Sequence, residues 1–201
     1  MEINNKVLPI VLPLDLFEEL KTYTMTEFAK ERANPTLRTR IPNTHGRVIL
    51  TANDRRFKDD KEQNVIGRVH HYLLPFVRDH FNDQTLQPTK GTVGIYFGPR
   101  AELRKHIDDD AAEYAFDMVI HKEEPWPITI DDKTFDLEEN QGVYFRGNHQ
   151  YHGRQEFPHP ETNVYASAWF YYCPPDHWYF TQGPEFLYVK RGVDPKIPYL
   201  Q

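Results

Sequence analysis

From Thr89 onward the sequence is a succession of short apolar, β-branched and aromatic runs separated by turn residues. Polar pairs and glycine mark the turns, as at Asp131-Asp132 and Gly147-Asn148. Runs of this length and spacing predict antiparallel strands rather than helices. The predicted strands are Thr92–Phe97, Tyr114–His121, Pro127–Ile130, Phe135–Leu137, Gly142–Arg146, Val164–Cys173 and Glu185–Val189. Such a pattern is typical of an all-β barrel or sandwich.

The first part of the chain has a different character. Val7–Leu16 is an apolar run that two prolines interrupt, so it predicts an edge strand or an extended lead-in. A helix capped by Asp15 follows, and a second helix is predicted over Lys61–His80. With 201 residues the chain has the length of a single domain. We expect a mainly β fold with N-terminal α-helices, in which residues 1–88 form a helical support region and 89–201 the β-barrel core.

The composition narrows the chemistry and the partners. The chain has ten His but a single Cys, Cys173, which excludes an intramolecular disulfide and a thiolate zinc site. A formal net charge of -6 makes a nucleic-acid partner unexpected. No apolar run is long enough to span a membrane, and the N-terminus lacks the features of a secretion signal. A cytoplasmic protein is therefore expected.

The strongest local motif is His106-Ile107-Asp108. Side chains at positions i and i+2 of an extended segment point to the same side, so the imidazole and the carboxylate face one point. His152 follows several predicted strands later and can supply a third ligand. Two His and one carboxylate form the facial triad of non-haem Fe(II) oxygenases, which leaves coordination positions open. His149 is a rival third ligand, but its odd spacing from Arg154 predicts that it points away from that Arg.

Arg154 lies two residues after His152, so on a strand it points to the same side as this candidate ligand. An inward Arg beside a metal is unfavourable unless it meets an anion, and a guanidinium matches a carboxylate bidentately. Two partners remain open at this point. One is the distal carboxylate of a dicarboxylate that chelates the metal with its other end, and the other is an Asp or Glu of the chain itself.

The segment around these residues resembles the Fe(II)/2-oxoglutarate-dependent dioxygenases, most closely a small branch with His-x-Asp and a later His-x-Arg. The resemblance covers roughly residues 90–173 and rests on Tyr96-Phe97-Gly98, His106-Ile107-Asp108, Glu113-Tyr114, Pro125-Trp126-Pro127-Ile128 and the run from Gly142 to Arg154. It implies a double-stranded β-helix, the jelly-roll or cupin-like barrel, supported by two or more helices. It also implies Fe(II) bound by His106, Asp108 and His152, with 2-oxoglutarate and O2 as cosubstrates and Tyr96 at the 2-oxoglutarate carboxylate.

The resemblance is incomplete at the cosubstrate anchor. Many family members place a basic residue shortly after the last His, where this chain has Glu161-Thr162-Asn163-Val164. We therefore expect Arg154 to bind the distal carboxylate, with an anchor near His121 or Lys122, or a different cosubstrate, as alternatives. Ser167 and Trp169 are expected to line the same site, although Trp169 is also compatible with an ordinary place in the core.

The resemblance further implies hydroxylation of a small molecule, an amino acid or a peptide, with release of succinate and carbon dioxide. Candidate substrate-binding residues are Arg100, Arg104, Arg146 and Tyr114; the basic residues near the metal indicate either an anionic substrate or a solvated loop. Two other functions remain open: a cupin-like metal barrel that acts without 2-oxoglutarate, and a non-catalytic binding module. Cupins carry His-x-His at this position, and Asp108 counts against them. The oligomeric state, including a homodimer, is open.

Overall fold

The computed structural model of the chain describes residues 5–33, 47–52, 64–98, 101–159 and 161–182. The described residues form strands and helices that we number in chain order. They are β1 (Val7–Leu8), α1 (Leu14–Ala33), β2 (Arg47–Ala52), α2 (Val65–Phe81), β3 (Gln87–Phe97), β4 (Leu103–His106), β5 (Tyr114–Lys122), β6 (Ile128–Ile130), β7 (Lys133–Phe135), β8 (Gly142–Phe145), β9 (His152–Arg154), β10 (Val164–Cys173) and α3 (Trp178–Thr181). A short 3-10 turn, Asp110–Ala112, lies between β4 and β5.

The strands form two sheets in which all paired neighbours are antiparallel. The larger sheet has the order β1-β8-β5-β10-β3-β2, and the smaller has the order β4-β9-β6-β7. From β3 to β10 the chain passes back and forth between the two sheets. This path brings β4 and β9 side by side although they are distant in sequence, and His106 becomes the register partner of His152.

The helices α1 and α2 cover one face of the six-stranded sheet. Because side chains alternate along a strand, every second residue of β10 points to this side, as Ala166, Ala168 and Phe170 do. They form one core with Leu20 of α1 and Ile66 of α2, and all five are fully buried. We call this core the helix-side layer.

The opposite face of the six-stranded sheet packs against the four-stranded sheet. Tyr165 and Trp169 of β10 join Val119 of β5 in a second core, together with Ile128 and Ile130 from the smaller sheet. We call the space between the sheets, with the side chains that fill it, the inter-sheet layer. Buried charged and polar residues from both sheets also belong to it: Asp117, Arg154 and Ser167.

The prediction of a mainly β fold with N-terminal helices is confirmed, and so are the positions of most strands. The strand predicted at Phe135–Leu137 corresponds to β7, which lies two residues earlier, because the left-handed turn at Asp131 (φ 53°) lets the hairpin pair Phe135 with Ile128. The helix α1 begins at Leu14, so Asp15 lies in its first turn rather than at the cap. The predicted strand Glu185–Val189 lies outside the described residues.

Two further features bear on the N-terminal region. The strands β1 and β2 add to opposite edges of the six-stranded sheet, beside β8 and β3. Within the described ranges, no helix has the length and apolar character required to cross a membrane.

Candidate metal centre

Three ligand-type side chains converge where β4 and β9 pair. His106 is the last residue of β4, Asp108 follows two residues later, and His152 is the first residue of β9. Nε2 of His106 lies 3.4 Å from Oδ1 of Asp108, and Nε2 of His152 lies 3.4 Å from Oδ2. The three ligand atoms are all within 4.8 Å of one another, so the group could hold a metal ion.

Backbone carbonyls fix the tautomer of both imidazoles. Nδ1 of His106 lies 2.7 Å from the carbonyl oxygen of Arg104, and Nδ1 of His152 lies 3.0 Å from that of Gln150. A carbonyl oxygen can only accept a hydrogen bond, so Nδ1 carries the proton in the neutral ring. The lone pair of each neutral ring is therefore on Nε2, the atom that faces Asp108.

The charge of Asp108 completes this arrangement. Burial alone would raise the pKa of its carboxyl, but the adjacent imidazoles of His106 and His152 outweigh burial and lower the pKa to about 2. Oδ2 has no hydrogen-bond donor within the described part of the chain. Two imidazole lone pairs and a carboxylate that face one point form a donor set that suits a divalent transition metal.

Gly147 gives the Asp108 carboxylate its room. The backbone N–H of Asp108 donates to the carbonyl oxygen of Gly147 at 2.9 Å. A Cβ atom at position 147 would lie 2.8 Å from Oδ2 of Asp108 and 2.4 Å from the carbonyl oxygen of Ala112. Only glycine fits this position without displacing the candidate ligand or the turn that follows it.

Gln150 holds the loop that delivers His152. Its Oε1 accepts from the backbone N–H of Arg146 at 2.8 Å, and its Nε2 donates to Asp131 at 2.9 Å. Asn5 also contacts the Gln150 amide, which ties the N-terminal segment to the same loop. The side chain of Gln150 is almost fully buried, so these bonds form away from water. His149, the rival ligand, is exposed and contacts Asn148 instead.

Arg154 points into the inter-sheet layer and meets a carboxylate of the chain. Its Nη2 donates to Oδ2 of Asp117 at 3.1 Å, and the two side chains are 1% and 0% exposed. A second bond runs from Nη1 to the carbonyl oxygen of Trp126. The guanidinium also lies over the rings of Trp126 and Tyr165, at 5.3 and 4.7 Å from their centroids. Of the two partners that the sequence left open, the one present here is an Asp.

Three other predicted residues share this layer. Trp169 donates from Nε1 to Oδ2 of Asp117 at 3.3 Å, and its ring lies over Gly94, where a Cβ atom would be only 2.2 Å away. Ser167 and Tyr96 are fully buried, and Oγ of Ser167 has no hydrogen-bond partner among the residues described. The Tyr96 ring packs against Trp126 at 4.8 Å.

The alternative cosubstrate anchors are held elsewhere. His121 lies 3.0 Å from Glu139, and Lys122 lies 2.9 Å from Glu138. Both are at the end of β5, and neither side chain is fully buried. Arg154 is therefore the predicted anchor that the fold places deepest between the sheets.

The predicted substrate-binding residues are less closely grouped. Nε of Arg104 donates to Glu102 at 2.8 Å, and the side chain is 78% exposed. Arg146 donates to Glu113 at 2.7 Å and lies 4.2 Å from the centroid of the Tyr114 ring, so these two candidates do stack on each other. Arg100 lies outside the described residues.

The sequence did not predict the roles of Asp117, Gly147 and Trp126 in this site, although Gly147 and Trp126 lie in segments that carry the family resemblance. Asp117 could have been noticed in the sequence, because it is the one charged residue within the run Tyr114–Ile120. A carboxylate in the middle of a buried strand must find a cation or a donor. Gly147 had been assigned only to a turn, and nothing in the sequence connects it with Asp108.

Comparisons with known proteins show the fold that the chain shares. No family model matches the sequence, and no curated protein is significantly similar to it. A prolyl-4-hydroxylase of Pseudomonas putida is 16% identical, with a TM-score of 0.59, over 84% of this chain and 91% of the other. HygX of Streptomyces hygroscopicus, with nickel and 2-oxoglutarate bound, is 13% identical, with a TM-score of 0.58, over 86% and 83%.

A third similar structure contains a peptide. It is a prolyl hydroxylase of Trichoplax adhaerens in complex with a peptide fragment of hypoxia inducible factor. It is 12% identical, with a TM-score of 0.56, over 85% of this chain and 84% of the other. At such low identity these likenesses show a common fold.

Proposed function

We propose that this chain is a non-haem Fe(II)- and 2-oxoglutarate-dependent oxygenase, a single domain built on a double-stranded β-helix. The observation that carries the proposal is the triad of His106, Asp108 and His152, in which two imidazole Nε2 atoms and a carboxylate face one point. The fold supports it, because several structures that share this fold are named as 2-oxoglutarate or prolyl hydroxylase enzymes.

These three residues would hold the metal. When bound, Fe(II) with 2-oxoglutarate and O2 supplies the oxidising chemistry, yielding succinate, carbon dioxide and a hydroxylated substrate. The protein contributes orientation. The carbonyl oxygens of Arg104 and Gln150 fix the two imidazole rings, and Gly147 leaves space for the Asp108 carboxylate.

The inter-sheet layer holds the cosubstrate in this proposal. Arg154 binds the distal carboxylate, since a guanidinium is the group that best matches a carboxylate in a dry site. Support comes from its position two residues after His152 on β9, because side chains at that spacing on a strand point to the same side. Tyr96, Ser167 and Trp169 line the same layer and exclude water from it.

The proposed substrate is a small molecule or a peptide. Support comes from the site's surroundings: Ile107 and Tyr151, beside the candidate ligands, are large apolar residues that are 37% and 52% exposed. Apolar groups at such a position favour contact with an uncharged part of a substrate. Arg104, Arg146 and Tyr114 are then candidates for binding its polar groups.

The test is cosubstrate turnover. The purified protein, given Fe(II), 2-oxoglutarate and O2, should form succinate in an amount equal to the 2-oxoglutarate consumed, and Asp108→Ala should not. Screening this turnover against a metabolite pool and a peptide pool would identify the substrate class. If succinate forms equally in Asp108→Ala, or if Fe(II) makes no difference, the proposal is wrong.

A further inference from the structure

Asp117 is a buried carboxylate beside Arg154, the proposed anchor of the cosubstrate. We propose that Asp117 shares the Arg154 guanidinium with the distal carboxylate of the cosubstrate and takes up one proton from solvent when that carboxylate binds. The inference rests on the proposed function and names Asp117 as a specificity-determining residue of the same site.

The first observation is that only one of the two carboxylate oxygens of Asp117 accepts hydrogen bonds among the described residues. Oδ2 accepts from both Nη2 of Arg154 and Nε1 of Trp169, at 3.1 and 3.3 Å. Oδ1 has no partner in the described part of the protein, although the side chain is completely buried. A buried oxygen without a partner is uncommon, and it indicates a place where another group binds.

The second observation is that unpaired donors lie in the same layer. Nε of Arg154 and Oγ of Ser167 are buried, and neither has a hydrogen-bond partner among the described residues. Both can donate to a carboxylate. The guanidinium therefore keeps a donor for a ligand even though Asp117 already occupies Nη2.

Binding of a distal carboxylate here would place two carboxylates close together, and one added proton removes their repulsion. A distal carboxylate next to Arg154 would add a second negative charge beside Asp117, and two close carboxylates in a dry site do not both stay ionised. A proton on Oδ1 removes the repulsion and turns the unpaired acceptor into a donor toward the ligand. The balance is simple: one proton passes from solvent to Oδ1 on binding, and no covalent bond of the cosubstrate changes.

The surroundings of Asp117 favour this step. Burial raises the pKa of its carboxyl, and the attraction of Arg154 and the bond from Trp169 only partly offset that effect. Burial also raises the pKa of Tyr165 and Tyr171, so these phenols stay neutral. Among the described residues, Arg154 and His152 from β9 and Tyr165 and Tyr171 from β10 interact electrostatically with Asp117.

Proton uptake can be measured without turnover. Protein loaded with Mn(II) in the absence of oxygen is titrated calorimetrically with 2-oxoglutarate, in buffers of different ionisation heat, from about pH 6 to pH 8. The expected result is uptake of one proton and a Kd that rises up to tenfold for each pH unit. In Asp117→Asn, whose amide keeps the shape and adds a donor, the Kd should be equal or lower and independent of pH.

Matched controls separate the charge from other effects. Asp132→Asn removes an exposed carboxylate in the β6–β7 turn and should behave like the wild type. Ser167→Ala should weaken 2-oxoglutarate binding while proton uptake persists. If Asp117→Asn does not fold, the buffer dependence of the wild-type protein still decides the matter.

The remaining outcomes distinguish this inference from the proposed function. If 2-oxoglutarate binds without proton uptake, or if Asp117→Asn retains the pH dependence, the inference is overturned and the oxygenase proposal stands. 2-Oxobutyrate lacks the distal carboxylate. If it binds more tightly than 2-oxoglutarate, the inference that Asp117 and the cosubstrate share the Arg154 guanidinium is also overturned. If Mn(II) binds but neither 2-oxo acid does, both proposals fail.

Discussion

The two faces of the six-stranded sheet have opposite characters. Toward the helices, the buried side chains are almost all apolar, and neighbouring strands contribute Ile95, Phe116 and Phe170. Toward the smaller sheet, the same strands carry Asp117 and Ser167, and the facing sheet adds Arg154. A single step along β5, from Phe116 to Asp117, changes the face. If the proposed function is right, the helix-side layer contributes mainly stability and the inter-sheet layer contributes the cosubstrate site. Substitutions on the two faces should then separate stability from binding.

The largest effect is expected on stability from the helix-side layer. Phe170→Ala removes a fully buried ring and should lower the free energy of unfolding by about 3–5 kcal/mol, through lost burial and the cavity left behind. Metal affinity of the folded protein should not change. Urea unfolding and metal titration test both parts, and a large loss of metal affinity would show that the two layers are not independent.

A substitution in the triad should lower metal affinity and leave stability nearly unchanged. Asp108→Ala should weaken binding of Fe(II) or Mn(II) by more than about 100-fold. Loss of a residue that only hydrogen-bonds to a metal ligand already lowers metal affinity by about 10–100-fold, and loss of a ligand should cost more. The metal-free protein should unfold at nearly the same temperature as the wild type. Asp110→Ala, which removes a nearby exposed carboxylate, is the control and should bind metal normally. Equal loss in both variants would contradict the assignment of Asp108.

Glycine positions on the two sides give a finer comparison. Gly147→Ala should push the Asp108 carboxylate away and weaken metal binding about 10–100-fold. Gly91→Ala, whose Cβ would touch Ile66, His70 and Phe170 at 3.2–3.3 Å, should affect stability and leave metal affinity unchanged. Metal titration of both variants checks the contrast; normal affinity in Gly147→Ala would refute the steric role of this glycine.

The smallest effect concerns pH. His70 is buried in the helix-side layer, and burial lowers its pKa to about 3, from an ordinary value of 6.5. Below pH 6.5 the His70 imidazole is therefore protonated in the unfolded chain but stays neutral in the folded protein. The free energy of unfolding falls as the pH falls from 6.5 toward 3. Between neutral pH and pH 5 the loss should be roughly 2 kcal/mol.

His70→Gln provides the comparison for this effect. Its amide can still donate to the carbonyl oxygen of Tyr171, which Nε2 of His70 contacts at 2.9 Å, but it does not titrate. Unfolding curves at pH 7 and pH 5 should be closer together in this variant than in the wild type. An equal drop in the two proteins would assign the acid sensitivity to another group.

The sequence predicted the features that depend on local periodicity. Alternating runs predicted most of the strands, although not the short β4 and β9. The i and i+2 spacing of His106 and Asp108 predicted two candidate ligands on one side. The third ligand required β9 to pair with β4, and the choice of His152 over His149 followed from strand parity. The three side chains do lie together, because a strand's two-residue repeat is a property of the backbone itself.

The partner of Arg154 depends on tertiary structure. Asp117 and Arg154 lie on different sheets, and the distance between them is set by how the sheets stack. The sequence could state that Arg154 needs an anion, but not which one. The steric role of Gly147 escaped for the same reason, because it depends on the position of a side chain from another segment.

The most direct test of the central claim is a crystal structure grown without oxygen in the presence of Mn(II) and 2-oxoglutarate. The account predicts anomalous density for one Mn(II) bound by Nε2 of His106, the Asp108 carboxylate and Nε2 of His152. It also predicts the distal carboxylate of 2-oxoglutarate at Arg154, between the sheets. Metal bound at any other group of residues, or a triad that stays empty at saturating Mn(II), would contradict it.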